Sequence, residues 1–376
     1  SLRKMQRKVA IIHDWLNGMR GGEKVLEVLL EIFPGADIFT LFLEEKNISD
    51  IIKAHKIVPS SLNKYGFIRK HYKYFLPLFP STIEEFDLKD YDVVISSSHC
   101  VAKGVIPYPG TLHIGYIHSP MRYVWDRYYA YFGKVKGLKK LYLKQQISRL
   151  RTWDAASSAR VDYFAANSRF IQQRIWRYYH REATVIHPPV DTENFQPGVN
   201  PSKDYFLTVS ALVPYKENDL LVEAFNQSGD RLIIVGKGPE EKKLKRMAAK
   251  NIEFKKDVSH EELVKLFQDA TAFVYAGVED FGIVFVEAQA CGIPVVAYKK
   301  GGVLDIVDEN SGILFEHQTT SALLDAINKI KKTDFNPSFI RENSLKFSRQ
   351  HFKQNFKTYF EEISEKMKTT KGMITS

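Results

Sequence analysis

The sequence predicts an α/β protein of two Rossmann-like domains, each a parallel sheet with helices around it. Three observations carry this. Short apolar runs of strand character alternate with helix-patterned stretches along the whole chain. The alternation breaks at His187-Pro188-Pro189 and a segment rich in Asn, Pro and Gly at 191–201, then restarts. The charge balance changes at the same place. Residues 1–190 hold 29 Lys and Arg against 17 Asp and Glu, a net of +12, whereas residues 191–376 hold 25 against 27, a net of −2. A chain of 376 residues also exceeds one comfortable core. The boundary is therefore placed between residues 190 and 191.

In the first half, residues 8–12 (KVAII) read as a strand ended by His13-Asp14-Trp15. A glycine-rich loop at 17–22 follows, with a helix over 23–33 that stops at Pro34-Gly35. Strand, glycine loop and helix is the geometry of a phosphate-binding turn, although this loop is neither GxGxxG nor a P-loop. A tight turn that merely uses glycine accounts for it equally well. Residues 36–43, 92–96, 113–117, 163–166 and 183–186 read as further strands, and basic 134–160 as a helix. His118 lies just past the end of 113–117, at the edge where open α/β sheets bind ligands. Asp90-Tyr91-Asp92 has a metal-binding spacing but precedes its strand, on the wrong edge, so no metal is predicted.

Residues 64–80 (KYGFIRKHYKYFLPLFP) carry Lys64, Arg69, Lys70 and Lys73 among six aromatic residues, with no acidic residue. Cations between rings suit an anionic membrane interface or a single-stranded nucleic acid. A helix with one buried aromatic face and one solvated basic face explains the pattern as well. The basic surplus of this half points to an anionic partner: nucleic acid, phospholipid or a phosphorylated substrate. No apolar run approaches the ~20 residues that span a bilayer, and no N-terminal segment reads as a signal peptide. Cys100 and Cys291 belong to no metal-spaced pair, so a reduced, cytosolic compartment is expected.

The second half runs strand 205–210, helix 219–226, strand 231–235, glycine turn 236–240, strand 251–254 and helix 261–269. Residues 271–298 then form a strand, a loop, an amphipathic helix opened by Gly282 and stopped by Gly292 and Pro294, and another strand. A strand at 310–315, a helix at 320–331 and a polar helical tail at 336–367 close the chain. Two carboxylates mark the 271–298 unit. Glu279 lies in its loop beside Asp280, where like charges repel, and a contact to a sugar or a leaving phosphate explains it better than structure does. Glu287 lies in the first two turns of the helix, placed to accept hydrogen bonds from a vicinal diol or simply as an acid near a helix N-terminus. Lys216, past a strand end, is a point charge for a diphosphate or an exposed loop lysine.

Glu279 and Glu287, with seven residues between them, resemble the signature of retaining family-4 glycosyltransferases of the GT-B fold. The surrounding GVEDFGIVFVEAQACGIPVVA is similar to the family pattern over its whole length. So are GMRGGEK at 18–24, HSPMRYVWD at 118–126, ANSRF at 166–170, HPPVDTENF at 187–195, SALVPYK at 210–216 and GKGPE at 236–240. The likeness is closest to bacterial mannosyltransferases of polysaccharide and O-antigen assembly.

The resemblance implies two Rossmann-like domains facing across a cleft, with a C-terminal helix, about 352–370, crossing back to the first. It implies that Glu287 binds the nucleotide ribose, and that Glu279 lies by the donor sugar with the backbone N–H groups of Phe281, Gly282 and Ile283. Lys216 would neutralise the diphosphate, and His118 would hydrogen-bond the hexose. Gly21 and Gly22 would let backbone approach the donor phosphate or the acceptor, while Ser210, Gly236 and Lys237 would belong to the donor site. The family's arginine in the SALVP segment is Ala211 here, and Arg122, Arg169 or Lys237 are the cations available to compensate.

The function expected is retaining, metal-independent transfer of a hexose, with GDP-mannose the favoured donor, to a glycan or polyprenyl-pyrophosphate-linked acceptor. No cofactor and no nucleic-acid partner is expected. The expected place is the cytoplasmic face of the cell membrane, on its anionic surface. A UDP-sugar transferase, a nucleotide-sugar epimerase and a non-catalytic nucleotide-sugar-binding protein are the alternatives.

Overall fold

The computed structural model describes residues 7–126 and 136–375. Described residues up to His187, together with those from Phe352, form one compact unit, and Pro188–His351 form a second.

The first unit holds a seven-stranded parallel sheet: β1 (Val9–His13), β2 (Asp37–Thr40), β3 (Ile57–Pro59), β4 (Val93–Ser98), β5 (Leu112–Ile117), β6 (Tyr163–Ala166) and β7 (Ala183–Val185). Their spatial order is β3-β2-β1-β4-β5-β6-β7. β1 is buried on both faces, as its unbroken VAIIH requires of a central parallel strand. Alternate residues serve opposite layers. Val9, Ile11, Val93, Ile95 and Ile114 pack with Val25, Leu26 and Leu29 of helix Gly21–Ile32. Phe352, Phe356, Tyr359 and Ile363 of helix Arg349–Thr375 join the same layer. Ala10, Ile12 and Val94 face the other way, onto Phe79, Ile83, Ile147 and Leu150. The helix expected from residue 134 is Gly137–Ser157; residues 134 and 135 lie outside the described residues. β3 was not anticipated, because three residues at a sheet edge leave no alternation to read.

The second unit repeats the plan with β8 (Tyr205–Val209), β9 (Leu232–Val235), β10 (Ile252–Lys255), β11 (Ala270–Tyr275), β12 (Val295–Tyr298) and β13 (Gly312–Phe315). The order is β10-β9-β8-β11-β12-β13, again wholly parallel. Leu207, Ile233, Phe273 and Val295 face Phe267, Phe285 and Val286, while Phe206, Ile234, Val274 and Val296 face Leu221, Phe225, Leu323 and Ile327.

In both units the chain winds outward from its first strand, then returns to start again on that strand's other side. The winding reverses between β1 and β4, and between β8 and β11. At such switch points the loops leaving the carboxyl ends diverge and open a crevice.

Two expected shapes change. Helix Ile283–Ala290 is not amphipathic; Phe285, Val286, Ala288, Gln289 and Ala290 are buried between the sheet and helix Pro337–Leu345, and the partly exposed face carries apolar Ile283 and Val284 beside Glu287. Residues 64–80 are not one two-faced helix. They divide into the short helix Gly66–Lys70, a 3-10 segment Tyr72–Leu78 containing Pro77, and the start of helix Phe79–Glu84.

Candidate active site

In the second unit β8 runs into a loop that ends in the 3-10 turn Pro214–Lys216, with Glu217 left-handed at φ 55° before helix Asn218–Ser228. β11, the neighbour across the switch point, ends at Tyr275 and leads to Glu279. There the two loops meet. Lys216 Nζ forms an ion pair with Glu279 Oε1, and the Tyr275 hydroxyl donates to the same oxygen. Both partners are largely withdrawn from water, at 12% and 24% side-chain exposure, so the pair is only weakly screened. Lys216 is thus not an exposed loop lysine.

Glycines permit this assembly. A Cβ on Gly277 would stand 3.0 Å from Lys216 Cα, and one on Gly302 only 2.2 Å from Phe281 Cα. Gly302 N donates to Glu279 O at 2.8 Å, fastening the Glu279 loop to the turn after β12. Ser210 Oγ bonds Asn218 Oδ1 at 2.9 Å, and Leu212 N donates to Lys237 O at 3.0 Å. A Cβ on Gly236 would overlap Ser210 O at 1.9 Å, which gives this glycine a packing reason of its own.

Gly282, at φ 97°, caps helix Ile283–Ala290, whose first N–H groups have no intrahelical acceptor. The Phe281 ring is core, packed edge-on to Phe347 at 5.5 Å, so only its backbone is available to a ligand. Glu287 stands in the second helical turn. Among the described residues no donor reaches its carboxylate. Burial raises its pKa to about 7, and Asp191 adds to the effect. Lys237 stays outside this group, paired at 3.1 Å with exposed Asp257.

The first unit's switch point gathers histidines. His13 ends β1 and lies opposite Ser97 in the β1–β4 register. His13 Nδ1 is 3.0 Å from Ser97 Oγ, which is 2.7 Å from His118 Nε2. His13 Nε2 lies 3.6 Å from Glu23 Oε1, and Glu23 Oε2 accepts from Arg20 N at 3.0 Å. Burial by itself raises the Glu23 carboxyl, but the hydrogen bond and charge of His13 outweigh it and bring its pKa down to about 2. Burial, with His13 and His99 nearby, lowers His118 to about 3, so it is neutral. Asp14 accepts from the backbone N–H groups of His99, Cys100, Val101 and Ala102 at 2.7–3.0 Å and lies 3.0 Å from His99 Nδ1. Gly22, beside Gly21 at the helix start, lies under the rings; a Cβ there would be 3.3 Å from His13 Cε1 and 3.6 Å from His118 Nε2. Arg122 and Arg169 stand past the ends of β5 and β6, further along the same sheet edge.

The structure therefore joins Lys216 to Glu279, places Gly282, Ile283 and Glu287 on the helix that follows, and sets His118 over Gly22. Reading the sequence missed Tyr275, Gly302 and Gly301 around Glu279, with which Gly301 forms a parallel bridge, and His13, Ser97 and Glu23 around His118. Tyr275 and His13 are the last residues of their strands, a position that itself marks them. No group of three or more His, Cys, Asp or Glu side chains suited to a metal occurs among the described residues.

Comparison with known proteins agrees with this layout. Residues 189–347 match the family model described as Glycosyl transferases group 1, and residues 41–194 match Glycosyltransferase Family 4. Each half of the chain thus matches a glycosyltransferase family model. A Mycolicibacterium smegmatis GDP-mannose-dependent alpha-(1-6)-phosphatidylinositol monomannoside mannosyltransferase is 31% identical over 192 residues, 43% of this chain and 50% of that protein. An uncharacterized glycosyltransferase of Methanocaldococcus jannaschii is 28% identical over 245 residues, 61% of this chain and 67% of that protein. The chain spans about half the length of the curated mannosyltransferases it matches. Among solved structures, the apo lipopolysaccharide outer core galactosyltransferase WaaB aligns with a TM-score of 0.65 at 18% identity, covering 93% of this chain and 98% of that one. Anabaena HepE in complex with UDP-glucose gives 0.68 at 16%, covering 94% and 99%. The chain thus has the GT-B fold, two parallel-sheet α/β domains of seven and six strands.

Proposed function

We propose that this chain is a retaining glycosyltransferase that moves a hexose from a nucleotide sugar, GDP-mannose being the favoured donor, to a glycan or lipid-linked acceptor. One observation carries the reading. The second unit's switch point holds a lysine–carboxylate pair beside a helix N-terminus, and that helix bears a carboxylate that no donor among the described residues reaches.

Each part has work to do in such a reaction. A nucleoside diphosphate is a good leaving group, so catalysis rests on stabilising the charge that develops on it. Lys216 supplies a cation for the diphosphate, and the N–H groups opening helix Ile283–Ala290 point at the same charge. Without donor, Lys216 is neutralised by Glu279. A bound diphosphate shares the ammonium with Glu279 Oε1, while the other carboxylate oxygen accepts from hexose hydroxyls. Glu287 accepts from the ribose diol. Retention follows a front-face path: the C1–O bond to phosphate breaks, the acceptor oxygen bonds C1, and the departing phosphate oxygen takes the acceptor's proton. His118 in the first unit hydrogen-bonds the hexose. No metal and no cofactor takes part.

The acceptor side is the first unit. Tyr65, Phe67 and Tyr74 are 61%, 70% and 83% exposed, with Lys64, Lys70 and Lys73 exposed between them. Rings and cations of this kind meet an anionic lipid surface, where a lipid-linked acceptor resides. Arg69 has a structural task instead, pairing with Glu44 at 2.6 Å and donating to Asn63 O. No described helix is long and apolar enough to cross a membrane.

A thermal-shift panel of GDP-, UDP- and ADP-sugars tests the reading. The favoured donor at a hundredfold excess over its Kd stabilises by about 2.7 kcal/mol. A panel without any shift, in a protein that also turns over no nucleotide sugar, rejects it.

A further inference from the structure

The His13–Ser97–His118 chain invites a question of proton direction, because a serine hydroxyl has one proton to give. Ser97 Oγ lies within hydrogen-bond distance of both His13 Nδ1, at 3.0 Å, and His118 Nε2, at 2.7 Å. It donates to one ring and accepts from the other.

Glu23 decides which. Its Oε1 faces the buried His13 Nε2 at 3.6 Å, and among the described residues no other partner reaches that nitrogen. Whenever the His13 ring is neutral, a bare nitrogen turned toward an ionised carboxylate would set two lone pairs against each other, so its one proton resides on Nε2. His13 Nδ1 is then the acceptor and takes the Ser97 proton. Ser97 in turn must accept from His118, which carries its proton on Nε2 and leaves Nδ1 bare. Among the described residues, His13 is faced by Glu23 from helix Gly21–Ile32, Ser97 from β4, the His99 and His118 rings each 6.4 Å away between centroids, and Asp14, whose oxygens are taken by His99 and four backbone N–H groups.

We propose that Ser97 is a positioning residue for His118: by giving its proton to His13 it holds His118 in the Nε2–H form, so that His118 Nδ1 accepts from a hydroxyl of the donor hexose. The proposal rests on the reading that His118 meets that hexose. The serine is buried on a central strand, shielded from water that would otherwise exchange both partners.

The test is two-bond proton–nitrogen correlation spectroscopy on the full chain with labelled histidine, at mildly alkaline pH and without sugar. The expected result is the Nε2–H tautomer at both His13 and His118. In Ser97→Ala, His118 becomes a mixture of tautomers, and in Ser97→Thr, which keeps the hydroxyl, the single tautomer returns. In transfer assays Ser97→Ala raises the donor KM roughly tenfold, the worth of one directed hydrogen bond, and Ser97→Thr restores it. An Nδ1–H His118 in the unsubstituted protein, a His118 tautomer indifferent to Ser97→Ala, or an unchanged donor KM in that variant overturns the proposal. The spectra need no substrate, so failure of the relay is seen separately from failure of the transferase reading.

Discussion

Glu287 separates function from stability at the level of one side chain. Its carboxyl has a pKa of about 7 in the folded protein against an ordinary value of 4.5, because burial disfavours the charge. For an acid shifted upward, the folded state holds the proton longer than the unfolded chain does. The associated stability is fully present below about pH 4.5 and is lost as pH rises through about 7. Glu287→Gln removes a charge that costs stability, so the variant melts higher than the unsubstituted protein above about pH 7, by roughly 1–2 kcal/mol after solvent screening, and no higher well below that pH. The same substitution weakens donor binding, since an amide is a poorer acceptor for a diol. Calorimetry and donor titration on one protein sample check both signs. In the unsubstituted protein donor affinity increases with pH up to a plateau above about 7.

Lys216 and Glu279 act as a pair. Lys216→Ala and Glu279→Ala each lower kcat by about 10²–10³-fold, the usual effect of losing one preorganised charge. The double variant is little worse than either single, because each partner holds the other in place. Strictly additive losses in the cycle contradict the coupling. Glu279 was legible in the sequence because a loop acid beside another acid lacks a structural reason. Its partners Lys216 and Tyr275 were not legible as partners, since Lys216 is 63 residues away and reaches it only through the β8–β11 adjacency. His13 and Ser97, 84 residues apart, are joined in the same way by the β1–β4 register.

At the scale of elements, strands announced themselves as apolar runs closed by glycine, proline or polar residues, and most of them were legible. Helix Ile283–Ala290 was legible by its ends, Gly282 and Gly292, but not by its burial, because a mostly apolar helix is indistinguishable from a two-faced one until its neighbours are known. The C-terminal helix shows what tertiary packing adds. Phe352, Phe356, Tyr359 and Ile363 are buried in the first unit's core, each worth about 1.5–3 kcal/mol. Deleting residues from 352 onward removes all four, a loss comparable to the whole stability of a domain. Urea denaturation of that truncated chain is expected to lack a cooperative transition for the first unit and to retain one for the second.

For the molecule as a whole, the charge division read from the sequence acquires a location. The surplus of +12 lies within residues 1–190, and in the first unit Lys64, Lys70 and Lys73 stand in solvent among exposed rings. Lys70→Glu with Lys73→Glu reduces co-sedimentation with anionic vesicles roughly tenfold or more, at about 1 kcal/mol per cation near a charged surface, and leaves binding to neutral vesicles unchanged. Arg69, tied to Glu44, belongs to folding and is left intact in that test.

The most direct measurement of the central claim is the fate of the sugar's C1. The protein is incubated with GDP-mannose and a mannose-terminated lipid acceptor, and the anomeric configuration of the product is read by proton NMR. Transfer with retained configuration is expected, slowed about 10²–10³-fold in Glu279→Ala and in Lys216→Ala. Transfer with inverted configuration, or undiminished transfer in either variant, would contradict the claim.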